Sequence, residues 1–356
     1  MSSKRLGLII PLPEEFEYAR HELDIVGEIT LGGRIYHRFL VGASGVSGVL
    51  TIVHDMGQAN AAIAAHDMIS AFKVPLVAVV GTAAALSDNV ALGDVVIASE
   101  IHDYLHAGKA VNDPDDPAKW GVELAGTTWK SSSTLRRHLQ NYPTTRAGRQ
   151  QINHWSETAL QECRISPPAR PTRGPLYHVA PIATGDLVGA SAPFISMLKA
   201  HNRKLAALEM EAGGAALSAY QHDGVDVVVV RGISDRAGAD KTSTDASVDL
   251  DGAPNAWRAY AVRNATKLLT TLVGGSDFPW RKQVNDEPAP KRKVSWATVG
   301  AAAAVAVPIG YAVGAHDKDH DITAEPVPDG VPEPSDGHNP EHNGDATTEA
   351  IFPGGE

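Results

Sequence analysis

Short, uninterrupted apolar runs alternate along this chain with stretches whose apolar residues recur every three or four positions. Leu6 to Pro11 reads as a short buried strand, Gly27 to Val41 as a hairpin broken at Gly32-Gly33, and Val49 to His54 as another strand. Gln58 to Ser70 is apolar at Ala61, Ala62, Ala65, Met68 and Ile69, the spacing of a helix that lays small residues on a sheet. Val74 to Val80 is apolar throughout, as in a strand covered on both faces. Further strands are expected at Val95–Ile101, His178–Ala183, Leu205–Leu208 and Val225–Val230, and helices at Ser131–Gln140, Pro193–Ala200, Gly213–Tyr220 and Asn255–Leu272. Such alternation predicts an α/β domain, residues 1–276, with a mostly parallel central sheet.

Two regions depart from the alternation. Tyr104 to Tyr177 is rich in Pro, Gly, Ser and charge, and is expected to form a loop-rich insertion over the rim of the site. Beyond the domain, a polar linker (277–293) ends in Lys291-Arg292-Lys293, and Val294 to Ala315 then runs for 22 residues without a charge. That length can cross a bilayer at helical rise, and basic residues before it with acidic ones after it match the positive-inside rule, so a C-terminal membrane span is expected. Residues 316–356 read as a disordered acidic tail.

Charge sharpens this division. The net charge of −11 lies almost wholly in Asp317–Glu356, where eleven acidic residues face one lysine. The near-neutral remainder excludes broad electrostatic binding to nucleic acid. Leu105 to Pro175 carries ten Lys or Arg against six Asp or Glu. The single cysteine, Cys163, excludes an internal disulfide, and with no targeting segment at Met1–Arg5 the domain is expected in a reducing cytosol, with membrane anchoring left to the C-terminal run. His316, His320, His338 and His342 are too irregularly spaced to suggest a metal site, and no cofactor is expected.

The candidate chemistry gathers at the ends of the apolar runs. Leu208-Glu209-Met210-Glu211-Ala212 opens a helix-like run, and the strand Val227–Val230 leads into Arg231-Gly232-Ile233-Ser234-Asp235. Carboxylates at one rim of a parallel sheet lie where open α/β folds bind ligands. With Leu6–Glu15, Val80-Gly81-Thr82-Ala83-Ala84-Ala85-Leu86 and Leu92-Gly93-Asp94-Val95-Val96, these motifs resemble the nucleoside phosphorylase and nucleosidase superfamily, nearest its methylthioadenosine/S-adenosylhomocysteine nucleosidase-like branch. The resemblance runs from Leu6 to about Leu272 and implies a three-layer phosphorylase-like domain, a small-molecule purine substrate and a homo-oligomer, dimer or larger.

The resemblance also implies roles. Asp235 matches the acid that protonates N7 of the leaving purine, with Ser234 orienting it; Glu211 matches the acceptor of the ribose hydroxyls, and Met210 packs on the sugar. Glu209 fits the pattern without a clear role. Glu15 matches the residue that activates water, although an offset of one would exchange it with Glu14. Thr82, Ala83 and Ala84 follow the central strand, and the alanines replace glycines of the family, narrowing the pocket. Thr184-Gly185-Asp186-Leu187-Val188 matches the element lining the base, but the expected aromatic is missing, leaving Leu187, Val188 or an insertion aromatic such as Tyr104 or Trp120 to contact the purine. Asp186 is expected to accept a hydrogen bond from an exocyclic amine and favour adenine.

Phosphorolytic relatives hold phosphate with arginines where this chain has Pro11-Leu12-Pro13 and Val79-Val80, so water is the expected nucleophile. The leading expectation is therefore hydrolysis of a purine nucleoside. A nucleotide such as ATP or AMP is the second, its phosphates held by Arg136, Arg137, Arg146 and Arg149. A membrane-tethered defence effector is compatible with that version. Phosphate-dependent phosphorolysis and a non-catalytic nucleoside sensor are the alternatives; the joint presence of Glu15, Glu211 and Asp235 argues against the sensor.

Overall fold

The computed structural model describes residues 4–281, apart from 54, 114–115, 117, 239–243 and 245. The expected membrane span and acidic tail lie outside the described residues. Among those described, no helix is long and apolar enough to cross a membrane.

Alternation along the central strands divides the core in two. In β1 (Arg5–Ile10), Leu6, Leu8 and Ile10 face one layer of helices and Ile9 the other. β5 (Leu76–Ala85) and β12 (Asp226–Arg236) follow suit, with Leu76, Ala78, Val80, Val228 and Val230 on the first face and Val77, Val79, Val227 and Val229 on the second. The second face is covered by α2 (Gln58–Phe72) through Ala64, Ala65 and Met68, and by the alanine-rich α6 (Ala212–Gln221). The first is covered by α1 (Pro13–Ala19) and the long α7 (Ala256–Gly274). Apolar residues on both faces of a strand are the mark of a middle layer, so the three-layer expectation holds.

The sheet is mixed rather than mostly parallel. β4 (Val46–Ile52), β1, β5 and β12 run parallel, but β6 (Val95–Asp103) is antiparallel to β12. The hairpin β2 (Asp24–Leu31) and β3 (Arg34–Val41) adds antiparallel strands at one edge. β10 (Tyr177–Thr184) lies parallel to β6, and β11 (Ala207–Glu209) parallel to β10. β11 then meets β5 antiparallel, pairing Ala207 with Ala85 and Leu208 with Ala84. Strands β5, β12, β6, β10 and β11 thus close into a ring. Burial periodicity carries no record of strand direction, which is why the apolar runs could not show it.

The insertion holds the helix expected at Ser131–Gln140 but is less loop-rich than expected. A small hairpin, β7 (Lys109–Asn112) with β8 (Trp120–Glu123), and β9 (Thr127–Trp129) precede two helices, α3 (Ser133–Asn141) and α4 (Arg146–Gln161). Ser132 and Thr145 cap them with their hydroxyls, and Leu135, Leu139, Trp155 and Ala159 are buried. The Trp155 indole donates to the Asn264 carbonyl on α7. These helices therefore thicken the core layer on α7 and do not roof the site.

Asp94 ties the insertion's return to the sheet. It is fully buried and accepts from Arg173 at 2.7 and 3.0 Å, from the N–H groups of Leu176 and Ala91 at 2.9 and 3.0 Å, and contacts His178 Nε2 at 3.1 Å. Burial acts to raise its pKa, but the bonds to His178, Arg173, Ala91 and Leu176 outweigh it and hold the carboxyl well below the usual range. Asp94→Asn should destabilise the fold by about 2 to 3 kcal/mol by denaturant titration, less than a fully enclosed pair because Arg173 can rehydrate. The wild-type contribution is present above the ordinary aspartate range and lost as pH falls below it, so the substitution should matter least in strong acid.

Candidate active site

The ends of β1, β5, β11 and β12 meet at a cavity of about 140 Å³. Pro11-Leu12 leave β1, and Pro13 starts α1 in the first-turn position that suits its fixed φ, with Glu14 and Glu15 following at the helix's positive end. Helical spacing points the two glutamates apart. Glu14 turns to α7, accepting from Arg258 at 2.7 Å, Asn255 at 2.9 Å and the Tyr18 hydroxyl at 3.0 Å. Glu15 turns into the cavity and is 2% exposed.

Both the N–H and the hydroxyl of Thr82 donate to Glu15 Oε1, at 2.8 and 2.7 Å. Its Oε2 is buried and has no hydrogen-bond partner among the described residues. A Cβ on Gly81 would lie 2.9 Å from that oxygen and 2.5 Å from Arg231 Nη1, so only glycine fits between them. Burial pushes the Glu15 pKa up, against the Arg231 charge and the Thr82 bonds that pull it down.

Arg231, 1% exposed on β12, is the residue that the sequence reading left without a role. Its Nη2 bonds Glu209 and, at 3.0 Å, Glu211. A charge directly after the four valines Val227–Val230 was the available signal, since a buried cation requires partners. Glu209 ends β11 and does not open a helix; its carboxylate accepts the N–H groups of Glu211 and Ala212 at 3.0 to 3.2 Å, capping α6. Glu211 occupies the N-cap position of α6, with Oε2 on Arg231 and Oε1 accepting from Gly57 N–H at 3.3 Å. Burial, with help from Glu209 and Glu15 and against Arg231, pushes the Glu211 pKa up to about 7.

Across the cavity, Ser234 is the extra residue of a bulge: Ile233 opposes Ala83, and Asp235 opposes the very next residue, Ala84. A bulge re-aims the side chain that follows it. Asp235 lines the cavity and accepts from the Ser234 hydroxyl at 2.8 Å. Met210, Thr82, Ala83, Ala84, Leu187 and Val188 line it too, with Met56 and Gly189, so all but one of the sequence-derived site residues come together.

Asp186 is the exception. Its Oδ1 accepts from the N–H of Gln58 at the start of α2, 2.9 Å away, and it is not among the lining residues. The aromatics expected over the base are also displaced: Tyr104 is buried beneath Gly185, and Trp120 is 72% exposed on β8, away from the lining. None of Arg136, Arg137, Arg146 and Arg149 lines the cavity, because α3 and α4 belong to the α7 side. Among the described lining residues the cations are Arg231 and Arg258, and both face carboxylates.

A phosphorylase-type α/β core with carboxylates at three walls of one cavity defines a class of small-molecule enzyme folds. The chain belongs to the Phosphorylase superfamily, whose model matches residues 5–273. It is 26% identical to the 5′-methylthioadenosine/S-adenosylhomocysteine nucleosidase of Marinomonas sp., over 76% of this chain and 99% of that protein. It is 26% identical to the ATP nucleosidase Cap17 of Escherichia coli, over 56% of this chain, and 28% identical to an uncharacterised protein of Sinorhizobium fredii, over 51%. The matches span only 38% and 40% of those two relatives. Among solved structures, the 5′-methylthioadenosine/S-adenosylhomocysteine nucleosidase of Neisseria meningitidis superposes with a TM-score of 0.53 at 21% identity, covering 76% of this chain and 99% of that one, a likeness of fold.

The electrostatics of the site give a signed expectation. A glutamate raised from 4.5 to about 7 in the folded state binds its proton more tightly there than in the unfolded chain. The ligand-free protein should therefore gain stability as pH falls from about 7 toward 4.5, and Glu211→Gln should flatten that slope. Melting temperatures recorded from pH 8 to pH 5 check this; a slope unchanged in Glu211→Gln would assign it elsewhere.

Proposed function

We propose that the chain hydrolyses the N-glycosidic bond of a purine nucleoside, and the methylthioadenosine in the names of its nucleosidase relatives supports an adenosine-type one. The observation that carries the reading is the placing of Asp235, Glu211 and Glu15 on three walls of one cavity. The purine lies toward Asp235 and the loop Leu187–Gly189, the ribose on Met210 and Glu211, and the water beside Glu15.

The chemistry follows from those positions. Asp235, oriented by Ser234, gives its proton to N7, so the base departs neutral as the C1′–N9 bond breaks. Glu211 accepts the ribose hydroxyls and opposes the positive charge growing on the sugar. Thr82 occupies one oxygen of Glu15 and leaves the buried, unpartnered Oε2 to take the proton of the water that bonds to C1′. Burial raises the Glu15 pKa, which makes it a stronger base than a free glutamate.

Water is favoured over phosphate as nucleophile. Arg231 is committed to Glu209 and Glu211, and a phosphate dianion would sit against Glu15 and Glu211. An uncharged 5′ substituent is favoured over phosphates, because Met56, Leu187 and Val188 form an apolar, half-exposed rim and the basic residues of the insertion are elsewhere. With Asp186 turned to α2, reading of the base falls to the backbone of Leu187–Gly189.

Chromatography of products from methylthioadenosine, adenosine, inosine, AMP and ATP, with and without phosphate, tests the reading. Free base and free sugar are expected regardless of phosphate, fastest with the uncharged 5′ groups. Ribose 1-phosphate would establish phosphorolysis, and preference for ATP would overturn the assignment of the rim. Asp235→Asn should slow base release by at least about a hundredfold. Glu15→Gln should bind ligand and lose turnover, whereas Glu14→Gln should loosen the α1–α7 contact and lower the melting temperature. Turnover lost in Glu14→Gln and kept in Glu15→Gln would reverse their roles.

A further inference from the structure

The first turn of α2 has no cap of its own. Its N-cap is Gly57, which has no side chain, and the helix's first N–H groups are taken by carboxylates from two distant segments. Gly57 N–H donates to Glu211 Oε1 at 3.3 Å, and Gln58 N–H donates to Asp186 Oδ1 at 2.9 Å. Gln58 Nε2 adds a bond to Asp103 Oδ1 at 3.1 Å, at the end of β6. Gly57 has φ +112°, and a Cβ there would lie 2.9 Å from Asp186 Oδ1, so the turn and the aspartate are fitted closely to one another. On the other side, a Cβ on Gly213 or Gly214 would lie 2.0 or 1.8 Å from Gln58 atoms, which leaves the turn no slack against α6.

We propose that Asp186 is a positioning residue that couples the base-side loop to the ribose carboxylate through the first turn of α2. Asp186 precedes Leu187, Val188 and Gly189, which line the cavity, while Glu211 lines it from the opposite element. The rigid link between them is two consecutive N–H groups of one helix. A loop closed on a base holds Asp186 on Gln58, and this keeps Gly57 N–H on Glu211. Both carboxylates sit at the N-terminal end of the same 15-residue helix. Asp186 thus acts on the ribose end of the substrate without touching the base. The inference rests on Glu211 as the ribose acceptor of the proposed hydrolase.

The test compares adenosine with 2′,3′-dideoxyadenosine, which lacks the hydroxyls that Glu211 accepts. Asp186→Ala should lower kcat/KM for adenosine by about fivefold to tenfold, the scale of losing a helix cap, and for the dideoxy substrate by less than about twofold. Asp186→Asn, which keeps an acceptor on Gln58 N–H, should recover most of the loss. In a Glu211→Gln background the Asp186→Ala effect should disappear. Equal losses on both substrates would show a merely structural role, and a changed ratio of adenosine to inosine with ribose dependence intact would return Asp186 to the base; either overturns the coupling. Should the wild-type protein release no base, the hydrolase reading fails. The coupling is then read from calorimetric affinities for the same two nucleosides, where an Asp186→Ala loss equal for both would overturn it.

Discussion

Two carboxylates, Glu209 and Glu211, bond the guanidinium of Arg231 in a place nearly closed to water, and a third, Glu15, acts on it through its charge. Burial alone would lower the pKa of that arginine, and Glu209, Glu211 and Glu15 together keep it firmly charged. The arrangement fixes much around it. Gly81 has to lack a side chain because Arg231 and Glu15 meet over it, and Glu209 has to end its strand where it can cap α6 and hold Arg231 at once. One cation does not neutralise three anions, and desolvated charge of one sign is costly. The protein carries that cost in the raised pKa values of Glu15 and Glu211. An excess of negative charge is also what a sugar becoming cationic requires.

The layers were legible in the chain because burial on two faces leaves long apolar runs, as at Val74–Val80 and Val225–Val230. The residues that line the cavity were legible through motifs at the ends of those runs, where a strand hands its last side chains to the rim. Direction of pairing was not, since a buried strand has the same composition beside a parallel or an antiparallel neighbour. α4 went unread because its buried stripe, Gly148, Trp155 and Ala159, is thin within a polar segment.

The contacts that the sequence could not show are those whose partners lie far along the chain. Asp186 meets Gln58 across 128 residues, and Glu14 meets Arg258 across 244. A motif can indicate that a carboxylate sits at a rim, but the direction in which it turns depends on which donor the fold brings closest. The four insertion arginines illustrate the same limit: their charge was visible, and the layer their helices join was decided by Leu135, Leu139 and Trp155.

The ring of strands has a bearing on how the protein comes apart. Because β11 closes back onto β5, none of the ring's five strands, three of which supply Thr82, Glu209, Arg231 and Asp235, offers an unpaired edge within it. A strand with neighbours on both sides cannot peel away singly, so these segments open as one cooperative unit. Amide exchange there is limited by the same event that dissolves the core, while the β2–β3 hairpin, on an open edge, is free to breathe on its own. The part of the cavity wall built on the ring, Thr82, Glu209, Arg231 and Asp235, therefore has no partly unfolded form of its own, while Glu15 on α1 and the loop Leu187–Gly189 depend on contacts outside it.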